Sequence, residues 1–201
     1  MRFPSSIQTL IEHFSSLPTV GPKTAERYVF YLLKQHPEWL QKFAQSIAEL
    51  KEKTTVCQTC MAIAETNPCL ICNDRKRDKK QLCVIADSRD MMVLETTKQY
   101  NGLYFALGGL INTIEAIGPE QLNIKQLINY LRSKQIKEII IALNPNLEGE
   151  TTILFLVKLL KSLNLKQTKI TCLAKGLPSG AYLEYADEIT LSNALKYRNE
   201  L

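Results

Sequence analysis

Between positions 57 and 72 the chain carries four cysteines as two equally spaced pairs, Cys57-Gln-Thr-Cys60 and Cys69-Leu-Ile-Cys72. Two intervening residues let both sulfurs of a pair grip one ion while backbone N–H groups bond to the thiolates. Two such pairs complete a tetrahedral Zn²⁺ site with four protein ligands. A site with every position filled by protein leaves none for an activated water, so this chemistry is structural. A single pair would also suit a redox dithiol, but two pairs in tandem favour the metal. The two remaining cysteines, Cys83 and Cys172, lie in apolar runs and read as small buried hydrophobes.

A second constellation lies at Leu17-Pro18-Thr19-Val20-Gly21-Pro22-Lys23-Thr24-Ala25-Glu26-Arg27. It reads as a tight turn between two helices, with Gly21 supplying a backbone conformation that a Cβ resists and Val20 pointing into the helix pair. The helix that starts at Pro22 offers free N–H groups and the positive end of its dipole, which suit a phosphate. Lys23 and Arg27 are one turn apart on one face and can clamp a pair of DNA phosphates. The plainer reading is an ordinary helical corner.

The elements that hold these residues fall into three regions. Residues 1–54 are helical. Ser5 or Ser6 caps a first helix through His13, and Pro22 opens a second through about Lys34. Pro37 opens a third, with Trp39, Leu40, Phe43, Ile47 and Leu50 at core spacing. Residues 55–80 have too few apolar side chains for a core of their own and need a metal or a neighbour to fold. From residue 81 onward, apolar runs at 82–86, 103–107, 138–143 and 169–174 alternate with helical patterns at 88–98, 124–133 and 150–163. Runs apolar on both faces suit a parallel sheet covered by helices, so the fold class is α/β in several parts.

Composition narrows the function classes. The 201 residues are 45% hydrophobic and 22% charged, an ordinary globular mix. No apolar stretch reaches the roughly 18 residues of a membrane span. Glu12 and His13 interrupt what would be the apolar centre of a signal peptide, so a reducing cytoplasmic setting is expected. The net charge is +5, and its surplus sits early, with 12 Lys/Arg against 8 Asp/Glu in residues 1–80. A solvated face and a surface facing nucleic acid are equally compatible with it. The basic run Arg75-Lys76-Arg77 with Lys79-Lys80 is by default solvated, and otherwise offsets the zinc–thiolate charge or touches DNA.

Several segments carry a resemblance. The turn at 17–23 resembles the helix-hairpin-helix of DNA-repair proteins, with Thr19 where the first glycine of that hairpin is usual. Cys83-Val84-Ile85-Ala86-Asp87-Ser88-Arg89-Asp90, Tyr104 to Gly109, Ile139 to Thr152 (through Asn144-Pro145-Asn146-Leu147-Glu148-Gly149-Glu150) and Ala174 to Gly180 resemble a Toprim domain. Hairpin, cysteine pairs and Toprim segments in this order are similar to the RecR family over essentially the whole chain. The resemblance implies residues 1–54 as the hairpin region, 55–80 as a C4 zinc finger, 81–176 as the Toprim domain and 177–201 as a tail for subunit contacts.

A catalytic Toprim centre holds Mg²⁺ with a glutamate after the first strand and an Asp-x-Asp pair after a later one. Here Ala86 stands at the first place, where many RecR proteins keep an acidic residue, and Asn144-Pro145-Asn146 at the second. Asp87, Asp90, Glu148 and Glu150 leave room for only a weak Mg²⁺ site at the strand ends. The resemblance implies a protein without catalytic activity that forms a dimer or tetramer and encloses duplex, gapped or single-stranded DNA. It would act with RecO-like and RecF-like partners to load recombinase. Lys23 and Arg27 are the candidate DNA contacts, and Glu148 and Glu150 the candidate partner contacts, their alternative being helix-start carboxylates that stabilise the dipole. Two rival readings stay open, a Mg²⁺-dependent Toprim nuclease or primase fragment and a zinc-stabilised interaction module that never meets DNA.

Overall fold

A computed structural model describes residues 3–163, 165 and 167–198, and the chain divides into two compact units, 1–54 and 55–201. The first unit has three helices, α1 (Ser5–Ser15), α2 (Pro22–Leu32) and α3 (Pro37–Ala48). Pro22 and Pro37 each open a helix, because a residue without an N–H costs nothing where that N–H has no partner. At the start of α1 the cap position belongs to Pro4, and Ser5 is already helical. Ile11, Ala25 and Val29 form the buried centre of the unit, with Ile7, Phe14 and Val20 packed on it.

The third helix departs from expectation. No residue of α3 is buried, and its apolar stripe is open, Trp39 at 42% and Ile47 at 59% exposure, with Leu50 beyond the helix at 63%. Helical spacing shows which side chains share a face and not whether anything covers it. A unit of this size has too little interior for three apolar faces.

The second unit is built on a sheet of four parallel strands in the order β4-β3-β5-β6. They are β3 (Asp78–Ile85), β4 (Gly102–Ala106), β5 (Glu138–Ala142) and β6 (Lys169–Cys172). A short hairpin, β1 (Thr55–Val56) with β2 (Ile63–Ala64), and one turn of helix, α4 (Leu70–Asn73), precede them. The connecting helices are α5 (Ser88–Thr96), α6 (Ile124–Ser133) and α7 (Leu147–Ser162), with α8 (Glu188–Lys196) near the end. The sheet is the parallel α/β arrangement that the apolar runs predict. Strand β3 starts earlier than its apolar run, since its first residues are the exposed polar stretch Asp78 to Lys80.

Side chains alternate across the pleat and give the sheet two different covers. Leu82, Val84, Ile139 and Ile141 belong to a core shared with Leu127 of α6 and Leu156 of α7. Cys83, Ile85, Tyr104 and Ala106 face the other way, into a cluster with Met91 of α5 and with Cys57, Cys60 and Cys69. The cysteine segment therefore finds its core on the back of the sheet.

Near the start of β4, Arg77 leaves the solvated basic run. Its Nη1 donates to Glu95 Oε1 at 2.9 Å and to the Gly102 carbonyl at 3.2 Å, and Tyr104 donates its hydroxyl to the same Glu95 oxygen at 2.7 Å. The Arg77 guanidinium, then the Tyr104 hydroxyl, hold the Glu95 carboxyl below its ordinary value of 4.5. A carboxyl lowered on folding contributes stability above its unfolded value, and that contribution fades as pH falls through the folded value. Arg77→Met is expected to cost about 2 kcal/mol at pH 7. The gap to wild type in urea unfolding should be full at neutral pH and narrow progressively below about pH 4.5.

Candidate metal centre and nucleic-acid interface

Local backbone geometry brings the four thiols together. Between β1 and β2 the chain reverses, the Cys57 amide donating to the Ala62 carbonyl at 2.8 Å and the Met61 amide to the Cys57 carbonyl at 2.7 Å. In the second pair, Cys69 caps α4 and its sulfur accepts the Cys72 amide at 3.4 Å. The Cys69 amide in turn donates to Cys57 Sγ at 3.4 Å, which ties one pair to the other. All four Sγ atoms lie within 4.8 Å of one another. Cys60 and Cys69 sulfurs are 3.7 Å apart. Four thiolates about 2.3 Å from a tetrahedral Zn²⁺ would sit about 3.8 Å from each other. Soft donors, that spacing and amides aimed at sulfur make the cluster suited to zinc.

Close packing couples the protonation of the thiols. The hydrogen bond from Cys72 draws the Cys60 thiol down to about 6, and giving that bond pushes Cys72 up. Burial raises Cys69 as well. Four packed thiols cannot all ionise without a counter-charge, and a divalent ion supplies one. The cluster is anchored to the sheet, the Ala106 amide donating to the Cys60 carbonyl at 2.8 Å and the Ile63 amide to Ser88 Oγ at 2.8 Å. Of the other two cysteines, Cys83 is buried, with its thiol pushed up to about 12 by desolvation. Cys172 is exposed, contrary to its apolar sequence context, because it ends the edge strand β6.

In the hairpin the left-handed residue is Thr19, with φ 66, and not Gly21. Gly21 is extended, with φ −81, and a Cβ built on it would meet nothing within 4 Å. The turn closes through the Val20 amide on the Leu17 carbonyl at 3.1 Å, and the Thr24 and Ala25 amides bond to the Gly21 carbonyl at 3.0 Å each. Lys23 and Arg27 are both exposed and form no ion pair among the described residues. A β-branched residue in the left-handed region is strained by about 1–2 kcal/mol. Thr19→Gly is expected to raise the unfolding free energy by about 0.5–1 kcal/mol, less than the strain because glycine also loosens the unfolded chain. Urea denaturation checks it.

Among the described residues the strand ends of the sheet hold no acidic cluster. Strands β3 and β5 are neighbours whose connections leave in opposite directions, the place where parallel sheets bind ligands. Ala86 follows β3, buried, with its carbonyl occupied by the Gly108 and Gly109 amides. After β5, Asn146 caps α7 by accepting the Gly149 amide at 2.9 Å. A Cβ on Gly149 would lie 1.8 Å from the Asn144 carbonyl, so this turn depends on glycine for close backbone packing. Asp87 and Asp90 form a capping box on α5, with Asp87 also paired to Arg89, and Glu150 is paired with Lys175. Glu148 is half-buried in the first turn of α7.

The carboxylates expected to leave room for Mg²⁺ do not converge. Among the described residues the four cysteines are the one group of His, Cys, Asp or Glu close enough to share an ion, and Mg²⁺ finds no support. The Asp87-to-Asp90 spacing is itself a helix-start signal in the sequence. The buried Thr152 hydroxyl, which accepts the Ile111 amide at 2.9 Å and donates to the Glu148 carbonyl at 2.6 Å, had no local signal at all.

Comparison with known proteins gives three family-model matches. The RecR helix-hairpin-helix model matches residues 7–51, the Toprim model residues 80–172 and the RecR C-terminal model residues 176–199. The chain is 48% identical over 201 residues to the Recombination protein RecR of Bifidobacterium animalis subsp. lactis, covering 100% of this chain and 99% of that one. The chain belongs to the RecR family. Recombination protein RecR from Staphylococcus saprophyticus and from Staphylococcus haemolyticus are each 42% identical, with full coverage of both chains. The RecR family assignment accounts for the coexistence of hairpin, cysteine cluster and Toprim sheet in one chain and places it among proteins of DNA recombination and repair. No helix among the described residues is long and apolar enough to cross a membrane.

Cys60→Ser should remove one of the four ligands and leave three packed thiols that hold a divalent ion poorly. The expected outcome is loss of about one metal ion per chain by atomic absorption. A fall of roughly 10 °C in the unfolding midpoint should accompany it, given the several kcal/mol a structural zinc supplies.

Proposed function

We propose that this chain is a recombination mediator, a DNA-binding clamp stabilised by zinc at Cys57, Cys60, Cys69 and Cys72 and without catalytic activity of its own. The observation that carries the reading is the hairpin. Lys23 and Arg27 stand exposed and unpaired among the described residues, one turn apart on α2, beside open space at Gly21 through which a phosphate can approach the positive end of the helix. Ala86 and Asn144 at the ends of neighbouring strands, in place of carboxylates, support a binding role in preference to phosphoryl transfer.

Assembly as a homo-dimer or homo-tetramer is supported by the apolar surface that the units leave open. In the first unit this is Trp39 and Ile47 of α3 with Leu50 just after it, and in the second Tyr185, Ile189 and Leu195 near the end. The assembly encloses duplex, gapped or single-stranded DNA. It works in the bacterial cytoplasm with RecO-like and RecF-like proteins to load recombinase. Glu148 and Glu150 are the proposed partner contacts. Glu148 is the freer of the two, since Lys175 already neutralises Glu150.

The test is DNA binding by wild type and a Lys23→Glu/Arg27→Glu variant across a salt series, at matched assembly state. Wild-type affinity should fall steeply with salt, and the variant should lose at least 10-fold at low salt, as two phosphate contacts become two repulsions. Equal binding by both would remove the hairpin from the interface. Supercoiled plasmid should stay intact with Mg²⁺, and nicking that depends on Mg²⁺ would overturn the non-catalytic reading.

A further inference from the structure

The opposite end of the sheet carries a second basic feature, far in the fold from the strand ends that hold Ala86 and Asn144. Lysines cluster where three strands begin. The Lys169 amide donates to the Lys137 carbonyl at 2.8 Å, and the Lys137 amide donates to the Lys80 carbonyl at 2.8 Å. Three lysine backbones are thus stitched side by side across β3, β5 and β6. Adjacent strands are about 4.8 Å apart, so the row spans roughly 10 Å. Lys80 and Lys137 also line one hollow of about 760 Å³ together with Lys134.

All four lysines are exposed, and none is in an ion pair among the described residues. Two acidic side chains beside the row are in other use, Asp78 accepting the Lys80 amide at 2.8 Å and Glu138 accepting from Thr171 at 3.0 Å and from Gln81 at 3.4 Å. The floor of the hollow is apolar, from Leu131, Ile136 and Leu165, and its rim has the amides of Gln135 and Gln167. Nothing in the packing of the sheet calls for this arrangement, because strand starts are satisfied by any solvated polar residue.

We propose that Lys80, Lys134 and Lys137 form a second DNA contact, a track for the phosphodiester backbone on the sheet unit, separate from the hairpin. Flexible ammonium groups held at strand spacing suit a backbone that presents a phosphate about every 3.4 Å along its axis and can slide in register. Planar, bidentate recognition of one carboxylate would call for arginine, and among the described residues the hollow has none. The apolar floor seats sugar faces, and the amide rim supplies donors that read no sequence.

This inference rests on the reading that the chain binds DNA, and the experiment separates the two. Binding of fluorescein-labelled duplex and single-stranded oligonucleotides by the full chain is followed by anisotropy from low to moderate salt. Wild type is compared with Lys80→Gln/Lys134→Gln/Lys137→Gln and with a control of equal charge loss, Lys98→Gln/Lys125→Gln/Lys158→Gln, whose lysines are exposed elsewhere on the same unit. The first variant should lower the slope of log affinity against log salt by about 0.9 per lysine on duplex, or about 0.7 on single strands, while the control leaves it near wild type. Whichever DNA form shows the drop is the form the track holds. An unchanged slope in the first variant, or an equal drop in the control, overturns the track while leaving the hairpin interface standing. Absence of wild-type DNA binding at any salt would instead overturn the proposed function itself.

Discussion

The back face of the parallel sheet, where strand side chains and cysteines share one interior, is the constraint on which the second unit depends. Cys83, Ile85, Tyr104 and Ala106 need cover on that side, and α5 alone offers one buried side chain, Met91. The cysteine segment supplies the rest, and the bond from the Ala106 amide to the Cys60 carbonyl fixes it there. Dependence runs both ways. Without the sheet, residues 55–73 have a two-residue hairpin and one helical turn, neither able to persist in water. Without the segment, the sheet has an open apolar face. A metal held by the thiols therefore stabilises more than its own loop.

How much of this was legible in the sequence depends on whether a feature is local. The cysteine pairs, the prolines that open α2 and α3, and the β-branched runs of β3 and β5 are set by spacing and residue type within a few positions, and the structure has them. Features that need a neighbour distant in sequence were hidden. The exposed stripe of α3 looks identical to a core stripe until its surroundings are known. Cys172 sits in an apolar run yet ends an edge strand. Arg77 belongs to a basic run, but Glu95 and the Gly102 carbonyl, reached only through the fold, take it out of solvent. The exchange of roles between Thr19 and Gly21 was hidden for a different reason. Glycine permits a left-handed conformation without requiring it, and closure of this turn puts that demand two residues earlier.

The Toprim sheet of this chain keeps the topology that gathers catalytic groups and fills the gathering point with backbone. Where metal-binding carboxylates would stand, the Ala86 carbonyl takes two amides and Gly149 presses against the Asn144 carbonyl. Such a site is rigid and self-satisfied, with its polar groups spent on one another. The acidic residues nearby serve as helix caps or ion-pair partners. The turns after β3 and β5 form a firm platform in which backbone groups bond to backbone.

The buried hydroxyl of Thr152 adds something to that platform. It joins the Ile111 amide to the Glu148 carbonyl, so the loop that carries exposed Ile114 and the helix start that carries exposed Leu147 and half-buried Glu148 are locked to one post. A molecule docking on these side chains meets a surface whose loops lost their freedom when the protein folded. Little further entropy remains to be surrendered at the moment of encounter, and more of the contact energy is left to set how long the complex lives.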